Sequence, residues 1–347
     1  MNVVFKREDF TLCEVPVPQG YPQSQTHSGI AFNDGCYYLV TSPYPNVKKN
    51  TFVTYFRVAL RKLTNGRVCN SIPADYYENP CLYVSEKNPE EPAISFRLMT
   101  RGALMENPEE YYGLPSFNSD PDILIDNNDI IVLNRPVIRT ELLKNGGYRA
   151  EVRLYYFRGK DINGYFSLEE CSLLKREQKN IVSPCLQKYK GKYVLMYLDS
   201  NSYNDGKSFK GLFYQMSDSL RGLQSDEDVK QIKVDAGGYV PWHMSLFKYK
   251  GRLYTIMACV EKGIGHRCWQ MLGEFNVDLT NLKIYQTPLT DYASYRSAAC
   301  VTDTGLFVLY NTTVQEKIKG SKSVDGRDVI MAKMPFDELL GLLKERK

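Results

Sequence analysis

One design occurs five times along this chain: an apolar run, a tight turn, and a second apolar run rich in tyrosine. The copies are 29-GIAFNDGCYYLVTS-42, 122-DILIDNNDIIVLNR-135, 185-CLQKYKGKYVLMYLDS-200, 244-MSLFKYKGRLYTIMAC-259 and 297-SAACVTDTGLFVLYNT-312. Their turns, Asn-Asp-Gly, Asp-Asn-Asn, Lys-Gly and Asp-Thr-Gly, accept positive φ at little cost, so each copy reads as a β-hairpin. Gly35, Asn128, Gly191, Gly251 and Gly305 mark the turns, at intervals of 93, 63, 60 and 54 residues. A third strand follows each hairpin, at 81-CLYVSEKN-88, 152-VRLYYFRGKD-161, 211-GLFYQMSDSL-220, 272-LGEFNVDL-279 and 328-DVIMAKMPFDEL-339. Loose flanking residues can supply a fourth.

Units of roughly 50 to 60 residues with three to four strands predict an all-β chain, a five-bladed β-propeller with antiparallel blades. A pair of β-sandwiches is the rival, but it does not predict the same hairpin five times. The single domain divides into blades at about 27–95, 116–175, 181–235, 240–290 and 294–340. The long first interval holds two insertions, 46–70 and 88–115, expected as loops on a face where partners bind. Residues 336–347 suit a short helix, with Asp337 and Glu338 near its start and basic residues near its end.

Net charge is +4, too mild and too dispersed to suggest nucleic acid. The start, MNVVFKREDF, carries charges where a secretory signal needs an apolar run, and no long apolar segment follows. The expectation is cytoplasmic synthesis, no membrane span and a reducing compartment. Cys36, Cys81, Cys185, Cys259 and Cys300 lie in or beside apolar runs and read as small core residues. No cysteine pair has zinc-site spacing, and no phosphate loop, Ser-His-Asp order or Cys-His pairing is visible.

In a propeller the innermost strand of each blade lines the channel, and the residues before it crowd one mouth. The five hairpins therefore nominate Thr26-His27-Ser28, Asn118-Ser119-Asp120-Pro121-Asp122, Val182-Ser183-Pro184, Pro241-Trp242-His243 and Ser294-Tyr295-Arg296. Two His, two Asp, a Trp, a Tyr and an Arg at equivalent positions form a candidate site. Alternation points Asp122 away from the side that Asp120 faces. No cofactor is expected. His27, His243 and Asp120 have the ligand types for a channel metal ion, though no close spacing supports one.

The ordered pieces 38-YLVTSPYPN-46, 78-ENPCLYVS-85, 118-NSDPDI-123, 182-VSPCL-186, 241-PWHMSLF-247 and 295-YRSA-298 resemble the five-bladed propellers of glycoside hydrolase clans. Those clans contain arabinanases, xylosidases, invertases and levansucrases. More closely, the chain is similar to an uncharacterised branch common in phage and gut-bacterial proteins. The resemblance implies three carboxylates at the mouth: a base or nucleophile from the first blade, a sugar-holding Asp from the second, and an acid from the third. Asp120 matches the second. The first blade has His27-Ser28-Gly29 where relatives often place an Asp after His. The third has Ser183-Pro184-Cys185 with no Glu, and Ser245 stands where an Asp often follows the Trp-His pair.

The expected function is therefore recognition of a carbohydrate, a bacterial or plant polysaccharide. Asp120 and Arg296 would bind hydroxyls or an acidic group, with Asp122 beside them. His27 and His243 would hydrogen-bond, and Trp242 and Tyr295 would stack. Such a module fits a phage or prophage particle, with other virion or surface proteins docking on the first-blade insertions. The alternatives are an active glycosidase using Asp120 with Glu78 or Asp199, and a protein-docking scaffold.

Overall fold

The computed structural model describes residues 3–19, 24–44, 79–88, 91–105, 117–142, 148–177, 181–200, 209–261, 268–290, 294–313 and 327–345. Each predicted hairpin forms, and each begins a four-stranded unit. The N-terminal strand β1 (Thr11–Leu12) stands apart from the units that follow it in sequence. The first unit is β2 (Ser24–Asn33), β3 (Cys36–Tyr44), β4 (Cys81–Ser85) and β5 (Phe96–Leu98); the second is β6 (Phe117–Asp126), β7 (Asp129–Leu142), β8 (Tyr148–Ile162) and β9 (Tyr165–Glu177). The third is β10 (Ile181–Tyr189), β11 (Lys192–Ser200), β12 (Phe209–Ser217) and β13 (Lys230–Asp235). The fourth is β14 (Tyr239–Tyr249), β15 (Arg252–Glu261), β16 (Cys268–Phe275) and β17 (Asn281–Ile284). The fifth unit has only β18 (Ser294–Val301), β19 (Leu306–Thr313) and β20 (Val329–Pro335) from its own stretch. Its fourth strand is β1, whose Thr11 and Leu12 pair with Met331 and Ile330. The predicted turn residues do their work: Gly35, Asn128, Gly191, Gly251 and Gly305 all have positive φ.

The first strands of the units, β2, β6, β10, β14 and β18, touch in a closed cycle and surround one axis. The fold is a β-propeller. Its core is not one mass but five apolar layers, one between each pair of neighbours. Ile123 and Val132 meet Val40 and Leu82 between the first and second units, for example, and Met244 and Met257 meet Val194 and Met196 between the third and fourth. Such burial contributes on the order of 25 cal/mol per Å² of apolar surface. The predicted C-terminal helix spans Phe336–Glu345 and buries Phe336, Leu339, Leu340 and Leu343, one helical face. Phe336 packs against Phe247, Tyr254 and Phe307, sealing the seam between the fourth and fifth units.

Three features differ from the sequence reading or add to it. Phe96–Leu98 is a strand of the first unit, although it lies within the segment 88–115 read as an insertion. The other insertion, 46–70, lies outside the described residues. Outer strands β13 and β17 pair in parallel, Lys233 with Asn281 and Asp235 with Lys283, so the third and fourth units merge into one eight-stranded sheet.

Neighbouring inner strands approach closely at Gly29. A Cβ there would stand 2.9 Å from Val40 Cγ1 and 3.2 Å from Asp122 Cα of the next unit. Gly29→Ala is therefore expected to destabilise the protein by about 1–3 kcal/mol through overpacking, read as a lowered urea midpoint. Gly251→Ala is the contrast: nothing lies within 4 Å of its Cβ, so its cost comes from the turn's φ of +73° alone.

Candidate functional site

An innermost strand is a sheet edge, and its inward N–H and C=O groups have no ladder partner. Every inner strand of this protein breaks its register at one level. The ladder steps from Thr26 to Gly29, Ser119 to Asp122, Val182 to Cys185, Pro241 to His243 and Ser294 to Ser297. The bulged residues are His27-Ser28, Asp120-Pro121, Ser183-Pro184, Trp242 and Tyr295-Arg296. These are the residues the hairpin comparison nominated. A bulge re-aims a side chain that regular pleating would send elsewhere. At His27, Asp120 and Ser183 it does so with φ of 54°, 50° and 51°, a left-handed backbone that costs a non-glycine residue on the order of 1 kcal/mol.

Asp120 is the meeting point. It is 1% exposed and touches all five units. His27 Nδ1 lies 2.7 Å and His243 Nδ1 3.5 Å from its Oδ1, and the two imidazole rings stand edge to face at 5.2 Å. The Ser183 amide donates to Oδ2 over 3.1 Å, and Arg135 Nη1 approaches the same oxygen at 3.1 Å. Arg296 Nη1 stands 3.8 Å from Oδ1. Burial alone would raise the pKa of Asp120. His27, His243 and Arg135 outweigh it and hold the carboxyl well below its usual range. Arg135 is a permanent cation, so this direction does not require charged histidines. Burial pushes His243 well down, against the pull of Asp120, and keeps that ring neutral at pH 7.

Asp122 departs from the sequence reading. The two-residue bulge resets the alternation, so Asp122 shares a guanidinium with Asp120: Arg296 Nη2 lies 4.0 Å from its Oδ1. Its Oδ2 accepts the Leu186 amide at 2.8 Å, tying the second unit to the third. Burial raises its pKa to about 7, against the pull of Arg296 and the backbone amides. The Ser183 hydroxyl makes the next stitch, donating to Met244 O and accepting from Met244 N, both at 2.9 Å.

Trp242 is half-buried at the rim, its ring 5.3 Å from that of His243. Of Tyr295 only its place in β18 is described. Glu78 lies outside the described residues. Asp199 sits in β11 with Lys210 Nζ 3.8 Å from its Oδ1. Ser245 is buried. The sequence reading missed Arg135, which comes from the second strand of its unit. It faces Ser119 in the ladder, donates to Ser119 Oγ over 2.6 Å, and hydrogen-bonds Ile181 O of the third unit through Nε. Its signal was an arginine inside the apolar strand 130-IIVLNRPVI-138. His27, Asp120 and His243 each offer a ligand atom, all within 4.8 Å of one another, so the fold supplies the closeness that the sequence spacing lacked.

The raised pKa of Asp122 has a definite stability consequence. A carboxyl that binds its proton more tightly folded than unfolded disfavours the fold as pH rises from its unfolded value of about 4 towards 7. Asp122→Asn removes that contribution. Its stability should fall less steeply than wild type between pH 4 and 7, by up to ~1.4 kcal/mol per pH unit, in urea midpoints measured across that range.

No protein-family model matches the sequence, and no curated protein matches it either. Solved structures do match in fold. An N-acetylgalactosamine deacetylase from F. plautii, in complex with blood group B trisaccharide, superposes with a TM-score of 0.59 at 16% identity, over 96% of this chain and 97% of that one. A xylan β-1,4-xylosidase from Bacillus halodurans C-125 gives 0.62 at 13% identity, over 92% of this chain and 54% of that one. Zg3597, a family 117 glycoside hydrolase from Zobellia galactanivorans, gives 0.52 at 12% identity, over 94% and 89%. The chain shares the β-propeller fold of these carbohydrate-acting proteins.

Proposed function

We propose that this chain recognises a carbohydrate at the mouth where the five bulges converge. One observation carries the reading: five distant segments bring His27, Asp120, Ser183, His243 and Arg296 to one carboxylate, beneath a half-buried Trp242. Trp242 supplies an apolar face for a sugar ring, and the buried polar groups orient its hydroxyls. The trisaccharide bound by the F. plautii deacetylase supports the ligand class. The narrower setting, a phage or prophage module with docking segments at 46–70 and 88–115, rests on the quoted sequence motifs alone.

Glycoside hydrolysis is the second reading, and one observation favours it. Asp120 is held ionised while Asp122, near the same guanidinium, is pushed up to about 7. Asp122 is fully buried and engaged with Leu186, so the reading still needs an acid at the mouth. Asp199 is engaged with Lys210 and Glu78 is the other candidate.

A panel of bacterial and plant polysaccharides, scored for both binding and reducing-sugar release, separates the two. Saturable binding without release is expected, and release abolished by Asp120→Asn would replace recognition with hydrolysis. Asp120 also joins the five units, so the cleaner probe is Trp242→Ala. It should weaken glycan binding about tenfold, ~1.4 kcal/mol, with little change in melting temperature. Unchanged affinity would remove Trp242 from the site.

A further inference from the structure

The His27–Asp120–His243 cluster has the donor types of a metal centre, but its surroundings oppose a cation. Both oxygens of Asp120 already face positive groups: Arg135 and the Ser183 amide on Oδ2, Arg296 on Oδ1. Two guanidiniums stand against two carboxylates, Asp120 and Asp122, so the net charge of the cluster cannot fall below zero. A divalent ion would add two charges within a few ångströms of fixed cations, in a region where water screens little.

Hydrogen-bond bookkeeping points the same way. Arg296 is 0% exposed, and neither its Nε nor its two terminal nitrogens make a hydrogen bond; its carboxylate contacts are 3.8 and 4.0 Å. Arg135 commits Nε and Nη1 to Ile181, Ser119 and Asp120, which leaves Nη2 uncommitted among the described residues. Arg135 keeps some exposure, at 9%, and so marks the side from which a ligand arrives. The mouth therefore has donors in surplus and acceptors in deficit. A guanidinium fork answers to a carboxylate or a sulfate, which brings paired oxygens and negative charge together.

We infer that the mouth receives the acidic group of a sugar, a carboxylate or a sulfate ester, on the uncommitted donors of Arg135 and Arg296, and that the His–Asp–His cluster is not a resident metal centre. The inference rests on the carbohydrate reading and narrows it to acidic glycans.

Matched glycan pairs test it on the wild-type protein: oligogalacturonate against its carboxyl-reduced galactose form, and a sulfated galactan against its desulfated form, by calorimetry. The charged member should bind at least about tenfold tighter, and the gap should shrink as salt is raised. Arg296→Met should close the gap while sparing neutral-sugar affinity, and Arg296→Lys should keep part of it. Equal affinity for charged and neutral members overturns the inference but leaves carbohydrate recognition standing. If no glycan binds, the carbohydrate reading fails. The inference is then read from sulfate and galacturonate titrated against the ring signals of His27 and His243, where unmoved signals overturn it. Manganese, zinc and calcium are titrated in parallel. Micromolar binding lost in His27→Ala overturns the exclusion of metal, and no saturable binding upholds it.

Discussion

The ring depends on one buried negative charge. Asp120 stands where inner strands from all five units converge, and these strands have no backbone ladders between them. Side chains must do what ladders do within a sheet. Asp120 accepts from the Ser183 amide, Asp122 from the Leu186 amide, and Ser183 bridges to Met244. Arg135, His27, His243 and Arg296 surround the carboxylate from the other directions. The left-handed backbones of His27, Asp120 and Ser183 are each unfavourable locally. They persist because turning these residues inward lets the charge, the rings and the amides meet. Function and closure thus draw on the same atoms, which explains why the polar centre is so heavily connected for a ligand site.

The repeats were legible because turn chemistry is local. Asn-Asp-Gly or Lys-Gly between two apolar runs states a hairpin without any tertiary information. Aligning the five hairpins then exposed His27, Asp120, His243 and Arg296, since equivalent positions in equivalent units face the same axis. What escaped was whatever broke a local rule. Alternation assigned Asp122 to the wrong side because the bulge at Asp120-Pro121 shifts the pleat by two residues out of register with β7. Arg135 sits on a second strand, in a position that pattern reading treats as packing. Metal-ligand spacing was absent from the sequence because the cluster assembles across some 216 residues, from His27 to His243.

The seams between units are not equivalent. The third and fourth are fused by the parallel pairing of β13 with β17, in addition to their shared apolar layer. The fourth and fifth are plugged by the aromatic cluster around Phe336. The first and second rely on side-chain packing and on the tight passage at Gly29. Any breathing of the mouth would therefore concentrate where the stitching is lightest, on the side where His27 faces Asp120.

The pairing of Thr11 and Leu12 with Met331 and Ile330 carries a consequence for biosynthesis. Four units can assemble as they leave the ribosome, each from its own contiguous stretch. The fifth cannot, because one of its strands is among the earliest residues made and its partner among the last. The earliest strand must wait, unpaired and exposed, through the synthesis of nearly the whole chain. Closure is then a late, long-range event that completes the ring in one step. Until that step, neither His27 nor Arg296 has its final neighbours, and the polar centre does not exist.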